Sequence, residues 1–365
     1  MKILYDHQIF SIQIFGGISR YFQELSSQLD AKKNIRTEFA IKISNNFYLE
    51  RNRLKFYNFL RKNNFRGKVR IIYFVNKLYT IYILKKKNFD VFHPTYYDPY
   101  FLKYLGDKKF VLTVYDMIHE KFPENFSEFD KTSENKKLLA TKASKIIAIS
   151  ESTRQDLIEI FDINPSKIEV IYLANSLHLD KNAENKIKLP KKYILYVGSR
   201  GGYKNFMNFL SSVTKILNSD NNLHLVCAGG GKFDDQENTY ISKNNLENKL
   251  LQFNIDDKTL SYFYSNAKAF IFPSLYEGFG IPVLEAFACG CPLICSNTSS
   301  LPEIASDAAV YFDPLDEKSI ETAVFNVLNH QELSESVIEK GYKRLKFFSW
   351  EKTAQLTEKI YQSII

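Results

Sequence analysis

The chain has 365 residues, more than one hydrophobic core of ordinary size accommodates, so two domains are expected. Its 45% hydrophobic and 25% charged content is that of a globular protein, and it offers no membrane span: the longest apolar candidate, Val69 to Leu84, is broken by Arg70, Asn76 and Lys77, where about 18 uninterrupted apolar residues would be needed. The formal charge of +8 is local, because Arg51 to Phe89 holds 12 Lys or Arg and no Asp or Glu, leaving 37 basic against 41 acidic residues elsewhere.

The first residues, Met-Lys-Ile-Leu-Tyr-Asp, read as a buried strand, since a signal peptide needs an uninterrupted apolar stretch and a small-residue cleavage site. Strands are then predicted at Glu38–Ile43, Phe110–Val114, Lys145–Ile149 and Ile168–Tyr172. A second series follows at Tyr193–Val197, Leu223–Cys227, Leu250–Phe253, Ala269–Phe272 and Pro292–Cys295. Helical patterns alternate with these runs, which argues for βαβ units and parallel sheets. An Asn- and Lys-rich stretch separates the two series, so the expected organisation is an N-terminal domain over 1–174, a linker over 175–192 and a C-terminal domain over 193–348. A last helix, Glu351–Ile364, follows Ser349 as its cap. Two doubly wound, Rossmann-like sheets would face each other across a cleft at the carboxyl ends of their strands.

Four cysteines fit neither metal-ligand spacing nor a disulfide framework, and small buried thiols in a reducing cytoplasm are expected. No combination of histidines suggests a metal site, and His178, His224 and His330 read as ordinary surface or structural residues.

The most informative segment runs from Ala269 to Cys295. A strand ends at Pro273, a loop carries Glu277, Gly278 and Gly280, and Pro282 marks the start of a short helix that Gly290 closes. Glycines allow close backbone approach, and the free N–H groups at a helix start attract a diphosphate. On this reading Glu285 lies in the first helical turn and Glu277 just ahead of it, both facing one mouth, where carboxylates accept hydrogen bonds from neutral sugar hydroxyls. A plain turn with a dipole-matching Glu285 is the competing explanation, adequate for one residue but not for the whole string Glu-Gly-Phe-Gly-Ile-Pro-x-x-Glu.

This string resembles the signature of the family-four (group 1) retaining glycosyltransferases, whose two glutamates are separated by seven residues and whose fold is GT-B. The resemblance implies that Glu277 binds donor-sugar hydroxyls and Glu285 the ribose, with the backbone N–H groups of Gly278, Phe279 and Gly280 near sugar and phosphates. Tyr196–Asn205 contributes two cations, Arg200 and Lys204, to a glycine loop at a strand end, which suits a diphosphate leaving group. Lys204 also matches the lysine of the family's corresponding loop. Gly16 and Gly17 occupy the place of a family glycine pair near donor phosphates and acceptor, and Arg20 stands beside them. The family often has His where Tyr115 stands, followed by an acid matching Asp116. This departure leaves Asp116 or His119 as the acceptor-side group, with Tyr115 a hydrogen-bond donor. His93, at another strand end, is a further acceptor-side candidate. Ser152 is a weak one, because Ser152 and Gln155 have capping-box spacing and a cap explains them. The terminal helix over 349–365 is of the family's type that crosses back onto the first domain.

No Asp-x-Asp occurs, so a metal held by such a pair is not expected, nor is any cofactor besides the nucleotide-diphosphate sugar as co-substrate. The resemblance implies transfer of a hexose with retention, from GDP-mannose or a UDP-hexose to a glycan or polyprenyl-diphosphate-linked acceptor in surface polysaccharide (O-antigen or capsule) synthesis. Catalytic importance falls on Asp116, Glu277 and Lys204. A nucleotide-sugar epimerase or hydrolase, and a non-catalytic assembly partner, are the alternatives. The basic, aromatic stretch 51–87 suits an anionic membrane surface, so a cytoplasmic protein peripheral on the inner face of the membrane is expected. A solvated basic helix is the competing reading of that stretch, and no nucleic-acid partner is expected.

Overall fold

The computed structural model describes residues 1–51, 56–60, 63, 65–177 and 187–365. His178, the linker residues 178–186 and several basic residues between 52 and 64 therefore lie outside the described residues. The chain divides into two compact units: Met1–Leu173 together with Ser349–Ile365, and Ala174–Phe348.

The first unit contains β1 (Lys2–Tyr5), β2 (Arg36–Phe39), β3 (Ile43–Ser44), β4 (Tyr57–Asn58), β5 (Val91–His93), β6 (Val111–Val114), β7 (Lys145–Ala148) and β8 (Ile168–Val170). Its strands pair in parallel in the orders β2-β1-β5 and β6-β7-β8, and a parallel bridge from Phe92 to Phe110 joins the two runs. The short pair β3-β4 stands apart. β5, β6 and all but one residue of β7 are buried, as strands covered on both faces must be, and this is why they read as continuous apolar runs rather than alternating ones. The predicted strand Glu38–Ile43 is displaced, because pairing with β1 ends at Phe39 and the chain turns before Ile43.

The second unit is a six-stranded parallel sheet: β9 (Lys192–Val197), β10 (Leu223–Ala228), β11 (Leu250–Phe253), β12 (Ala269–Phe272), β13 (Leu293–Ser296) and β14 (Val310–Phe312), in the order β11-β10-β9-β12-β13-β14. Strand order reverses between β9 and β12, the place where an open α/β sheet leaves a crevice beyond its carboxyl ends. Ile194, Leu225, Cys227, Ile271 and Ile294 pack with Phe206, Phe209 and Val213 of the helix Phe206–Ser219 into one core. Full burial of side chains of this size contributes about 1.5–3 kcal/mol each.

The terminal helix, Trp350–Ser363, belongs to the first unit and is capped by Ser349, whose Oγ accepts from the Lys352 N–H at 3.1 Å. It is held by polar contacts as well as packing. Thr353 Oγ1 donates to the Tyr172 carbonyl (2.7 Å), and the Tyr361 hydroxyl lies 2.6 Å from His93 Nδ1 and 3.1 Å from the Tyr5 hydroxyl. His93 Nε2 meets Thr113 Oγ1 at 2.9 Å. His93 is therefore a buried core residue with both ring nitrogens engaged, not the acceptor-side residue the sequence suggested.

Burial pushes His93 down to about 3, and His7, buried after β1, likewise. The unfolded chain protonates these rings below about pH 6.5 while the folded unit does not, so stability is greatest above that pH and falls as pH drops toward 3. Thermal melts between pH 7 and 4 should show this loss. His93→Gln should flatten its slope by up to about 1.4 kcal/mol per pH unit relative to the wild type.

Candidate active site

Two loops meet at the switch point of the second unit. The loop after β9 turns at Gly198 and Gly202, both at positive φ, and presents Lys204 at the end of a single tight turn, Gly202–Lys204. The loop after β12 carries Ser274 to Gly280. The Leu275 N–H donates to the Tyr203 carbonyl at 2.8 Å, which ties one loop to the other. Across this junction Lys204 Nζ lies 2.6 Å from Glu277 Oε1. Glu277 is in turn clamped through its backbone: its N–H donates to Ser299 Oγ (2.9 Å), and Ser300 Oγ donates to its carbonyl (2.8 Å). The pair lies largely out of solvent, where opposite charges interact more strongly than at a surface.

Gly280, at φ +91°, enters the helix Ile281–Ala288 in a conformation that L side chains rarely adopt, and a Cβ there would stand 2.9 Å from Leu301 Cδ2, which would have to shift. Pro282 lies in the first turn. Glu285 does not: it is the fifth helical residue, in the second turn, because the helix opens at Ile281. The carboxylate is buried and accepts from the Tyr264 hydroxyl at 3.2 Å. Gly278 and Phe279 occupy the bend between Glu277 and the helix, with Phe279 edge-on to Phe348.

Arg200 serves a different purpose from the one its sequence position suggested. Its Nε lies 2.7 Å from Glu237 Oε1, and NH2 lies 3.2 Å from Oε2. NH1 donates to the Gly229 carbonyl, and NH2 to those of Gly231 and Lys232, at 3.3, 3.1 and 2.8 Å. Gly229, Gly230 and Gly231 all have positive φ, so this turn after β10 is held open by the guanidinium. Both ionic partners are buried. Sequence reasoning passed over Glu237, although Asp234 and Glu237 have capping-box spacing and the box is formed.

The first unit's candidates lie on two segments. Gly16 caps the helix Gly17–Asp30 without a side-chain bond of its own, and Arg20 on that helix donates to the Tyr48 hydroxyl from Nε (3.1 Å) and NH2 (2.9 Å). At the crevice between β1 and β5, Asp6, which the sequence reading did not single out, accepts from the Thr95 N–H (2.8 Å) and Oγ1 (2.7 Å) and from Gln8 Nε2 (2.7 Å). Burial raises its carboxyl above the usual range.

Beyond β6, Tyr115 is buried with no partner for its hydroxyl among the described residues, and burial keeps that phenol protonated, a donor rather than a base. Asp116 Oδ1 accepts from the Ile118 N–H (3.1 Å) and stands 3.9 Å from Nζ of the fully buried Lys136. Lys136 also donates to the Asp116 carbonyl (2.9 Å) and to Glu120 (2.8 Å). His119 stacks on Phe126 with centroids 3.8 Å apart, and burial, with Lys136 second, lowers its pKa. Ser152 is not a cap: Ser150 caps the helix Glu151–Phe161, accepting from the Thr153 N–H. No group of three His, Cys, Asp or Glu is placed to hold a metal ion among the described residues.

Residues 179–344 match the family described as Glycosyl transferases group 1, and residues 15–174 match Glycosyltransferase Family 4. The chain is 28% identical over 232 residues to O-antigen chain mannosyltransferase B of Escherichia coli, covering 60% of this chain and 61% of that protein. It is 31% identical over 208 residues to a Campylobacter jejuni enzyme, N-acetylgalactosamine-N,N'-diacetylbacillosaminyl-diphospho-undecaprenol 4-alpha-N-acetylgalactosaminyltransferase, covering 56% of this chain and 55% of that protein. The chain thus spans about three fifths of the length of the curated relatives it matches. Among solved structures, a sucrose-phosphate synthase from Thermosynechococcus elongatus superposes with TM-score 0.77 at 18% identity, covering 99% of this chain and 98% of that one.

The contrast between the two cations is testable. Arg200→Ala leaves Glu237 buried and unpaired and should destabilise the second unit by about 3–5 kcal/mol in urea denaturation. Lys204→Ala, at a more accessible pair, should lose far less stability.

Proposed function

Because the chain belongs to the group 1 glycosyltransferases with the GT-B fold, we propose that it transfers a hexose from a nucleotide-diphosphate sugar, GDP-mannose or a UDP-hexose, to a glycan or lipid-linked acceptor in surface polysaccharide synthesis, with retention of configuration. The observation that carries this reading is the Lys204–Glu277 pair at the switch point of the second sheet. A lysine there meets the negative charge that grows on the departing diphosphate, and the neighbouring carboxylate accepts hydrogen bonds from hexose hydroxyls. Glu285, one turn into the helix, is assigned to the ribose, and Gly278 to Gly280 bring backbone N–H groups to sugar and phosphate. Arg200 acts indirectly, as the brace of the glycine turn after β10. The acceptor attacks on the face the diphosphate leaves, with a phosphate oxygen taking its proton. Asp116 and the Tyr115 hydroxyl are assigned to the acceptor side, and no covalent enzyme intermediate is invoked.

The named activity of the Escherichia coli relative supports mannose as the sugar, and the undecaprenol-linked acceptor in the Campylobacter jejuni enzyme's name supports a lipid-linked acceptor. The reaction is proposed to proceed without a metal, Lys204 supplying the charge a cation would otherwise bring. Glu277→Ala should reduce transfer at least about 100-fold in a protein that still melts cooperatively, and EDTA should leave the wild-type rate unchanged in a radiolabelled-sugar assay. Near-wild-type turnover by Glu277→Ala would refute the assignment. A non-catalytic assembly role, which Tyr115 in place of a histidine, its hydroxyl unpartnered among the described residues, leaves as second reading, predicts donor binding with no turnover in the same assay.

The basic segment is proposed to dock on an anionic membrane surface from the cytoplasmic side. No helix among the described residues is long and apolar enough to cross a membrane. The helix Lys68–Lys86 instead presents an apolar stripe to solvent. Its buried stripe, Ile72, Asn76, Thr80 and Leu84, is half polar: Asn76 bonds Lys42, Ile43 and Ser11, and Thr80 bonds the Ala40 carbonyl. The opposite stripe is apolar and exposed, with Phe74 at 62%, Leu78 at 53% and Tyr82 at 55%. Lys85 and Lys86 lie in its last turn, and no acid occurs from Arg51 to Phe89. Apolar insertion flanked by lysines suits an anionic interface. Co-sedimentation with phosphatidylglycerol vesicles should fall several-fold in Phe74→Glu/Leu78→Glu and should not occur with neutral vesicles. Binding that ignored both changes would exclude this surface.

A further inference from the structure

Four consecutive residues after β13, Thr298 to Leu301, fasten the loop that carries Glu277. Thr298 Oγ1 donates to the Leu275 carbonyl at 3.0 Å, Ser299 Oγ accepts from the Glu277 N–H, and Ser300 Oγ donates to the Glu277 carbonyl. Leu301 fills the space that a Cβ on Gly280 would need. Through Leu275, whose N–H reaches the Tyr203 carbonyl, the same strap bears on the loop of Lys204.

Two of these residues hold conformations that their own chemistry does not favour. Ser299 has φ +51°, in the left-handed region where a residue with a Cβ is uncommon. Ser300 stands at the N-cap of the short helix Leu301–Ala305, with helical φ and ψ and no side-chain bond to that helix. A serine in that place ordinarily accepts from its own helix. Both departures end on one target, since each hydroxyl is committed to the Glu277 backbone. Local strain of this kind persists where the surrounding structure fixes it, and it concentrates at ligand clamps.

The clamp matters most when a donor is bound. Lys204 holds the tip of the Glu277 side chain, but on the reading above that ammonium turns to the diphosphate. The carboxylate is then oriented from its backbone, which the strap grips at both the N–H and the carbonyl. Sugar epimers differ only in the direction of one hydroxyl. A carboxylate fixed in place accepts from one direction and rejects the other, whereas one free to shift follows either.

We propose that Ser299 and Ser300 are positioning residues that set which hexose the donor site accepts, by holding Glu277 where only one hydroxyl configuration meets it. The proposal rests on the assignment of Glu277 to hexose hydroxyls. A plain stitching of loops makes a different prediction for glycine. Glycine adopts left-handed φ more readily than serine, so Ser299→Gly suits the turn and removes only the hydroxyl.

The test is isothermal titration calorimetry of the full chain with GDP-mannose against GDP-glucose, epimers at C2, with UDP-glucose against UDP-galactose, epimers at C4, and with GDP and UDP alone. The wild type should prefer one member of a pair by at least about tenfold, and Ser299→Gly and Ser300→Ala should bring that ratio to within about threefold. Both variants should melt cooperatively and keep the wild-type affinity for the free nucleoside diphosphate. Serine variants that retain the wild-type ratio, or that lose nucleoside diphosphate affinity in step with it, overturn the positioning role. Glu277→Ala separates the two claims: it should abolish the preference, and a preference that survives it overturns the assignment of Glu277 itself. A wild type that binds neither pair, or does not distinguish the members of either, contradicts the proposal outright.

Discussion

The ion pair between Lys204 and Glu277 is the contact on which the rest of the second unit's design converges. Neither residue is near the other in sequence: Lys204 ends the single turn Gly202–Lys204 and Glu277 lies in the loop after β12. They meet because β9 and β12 are hydrogen-bonded neighbours across the reversal of strand order, so the loops leaving their carboxyl ends emerge side by side. The Leu275–Tyr203 bond, the two serines on the Glu277 backbone and the left-handed Gly280 then fix how the carboxylate is presented. Remove the parallel order and the two charges have no reason to share a mouth.

The two cations of the first loop show how side-chain chemistry divides labour over a few residues. A guanidinium offers several donors in a rigid plane, and Arg200 uses them to fasten three carbonyls and a carboxylate at once. A group committed in that way builds a site and is not available to follow a substrate. An ammonium is a compact charge on a flexible stem, and Lys204 needs only to reorient to exchange a carboxylate for a phosphate. Similar reasoning separates the histidines. His93, locked between Tyr361 and Thr113, joins the terminal helix to the first sheet, whereas His119, stacked on Phe126, keeps a buried nitrogen with no partner among the described residues.

Much of this was legible in the sequence, and what was not has physical causes. Buried parallel strands such as β9 and β12 stand out as apolar runs. The three-residue strands β5 and β14 do not, because their pairing depends on neighbours distant in sequence. The Glu277–Glu285 segment was recognisable as a unit, yet the helix begins at Ile281, which moves Glu285 one turn deeper than its spacing from Pro282 suggested. The cap at Ser150 rather than Ser152 is an ambiguity of the same kind, two serines two residues apart before one apolar run. Lys136 carries no local signature of burial, since a charged residue on a helix reads as solvated until its partner is known. Tertiary pairing alone reveals it.

The most direct measurement is a crystal structure of the chain with an intact nucleotide-diphosphate hexose, or a non-hydrolysable analogue, bound. The account predicts Lys204 Nζ within hydrogen-bonding distance of the diphosphate, Glu277 turned to hexose hydroxyls, Glu285 at the ribose, and the Arg200–Glu237 brace unchanged. A donor bound away from the β9–β12 crevice, or a diphosphate held by Arg200 while Lys204 and Glu277 stay paired, would contradict it.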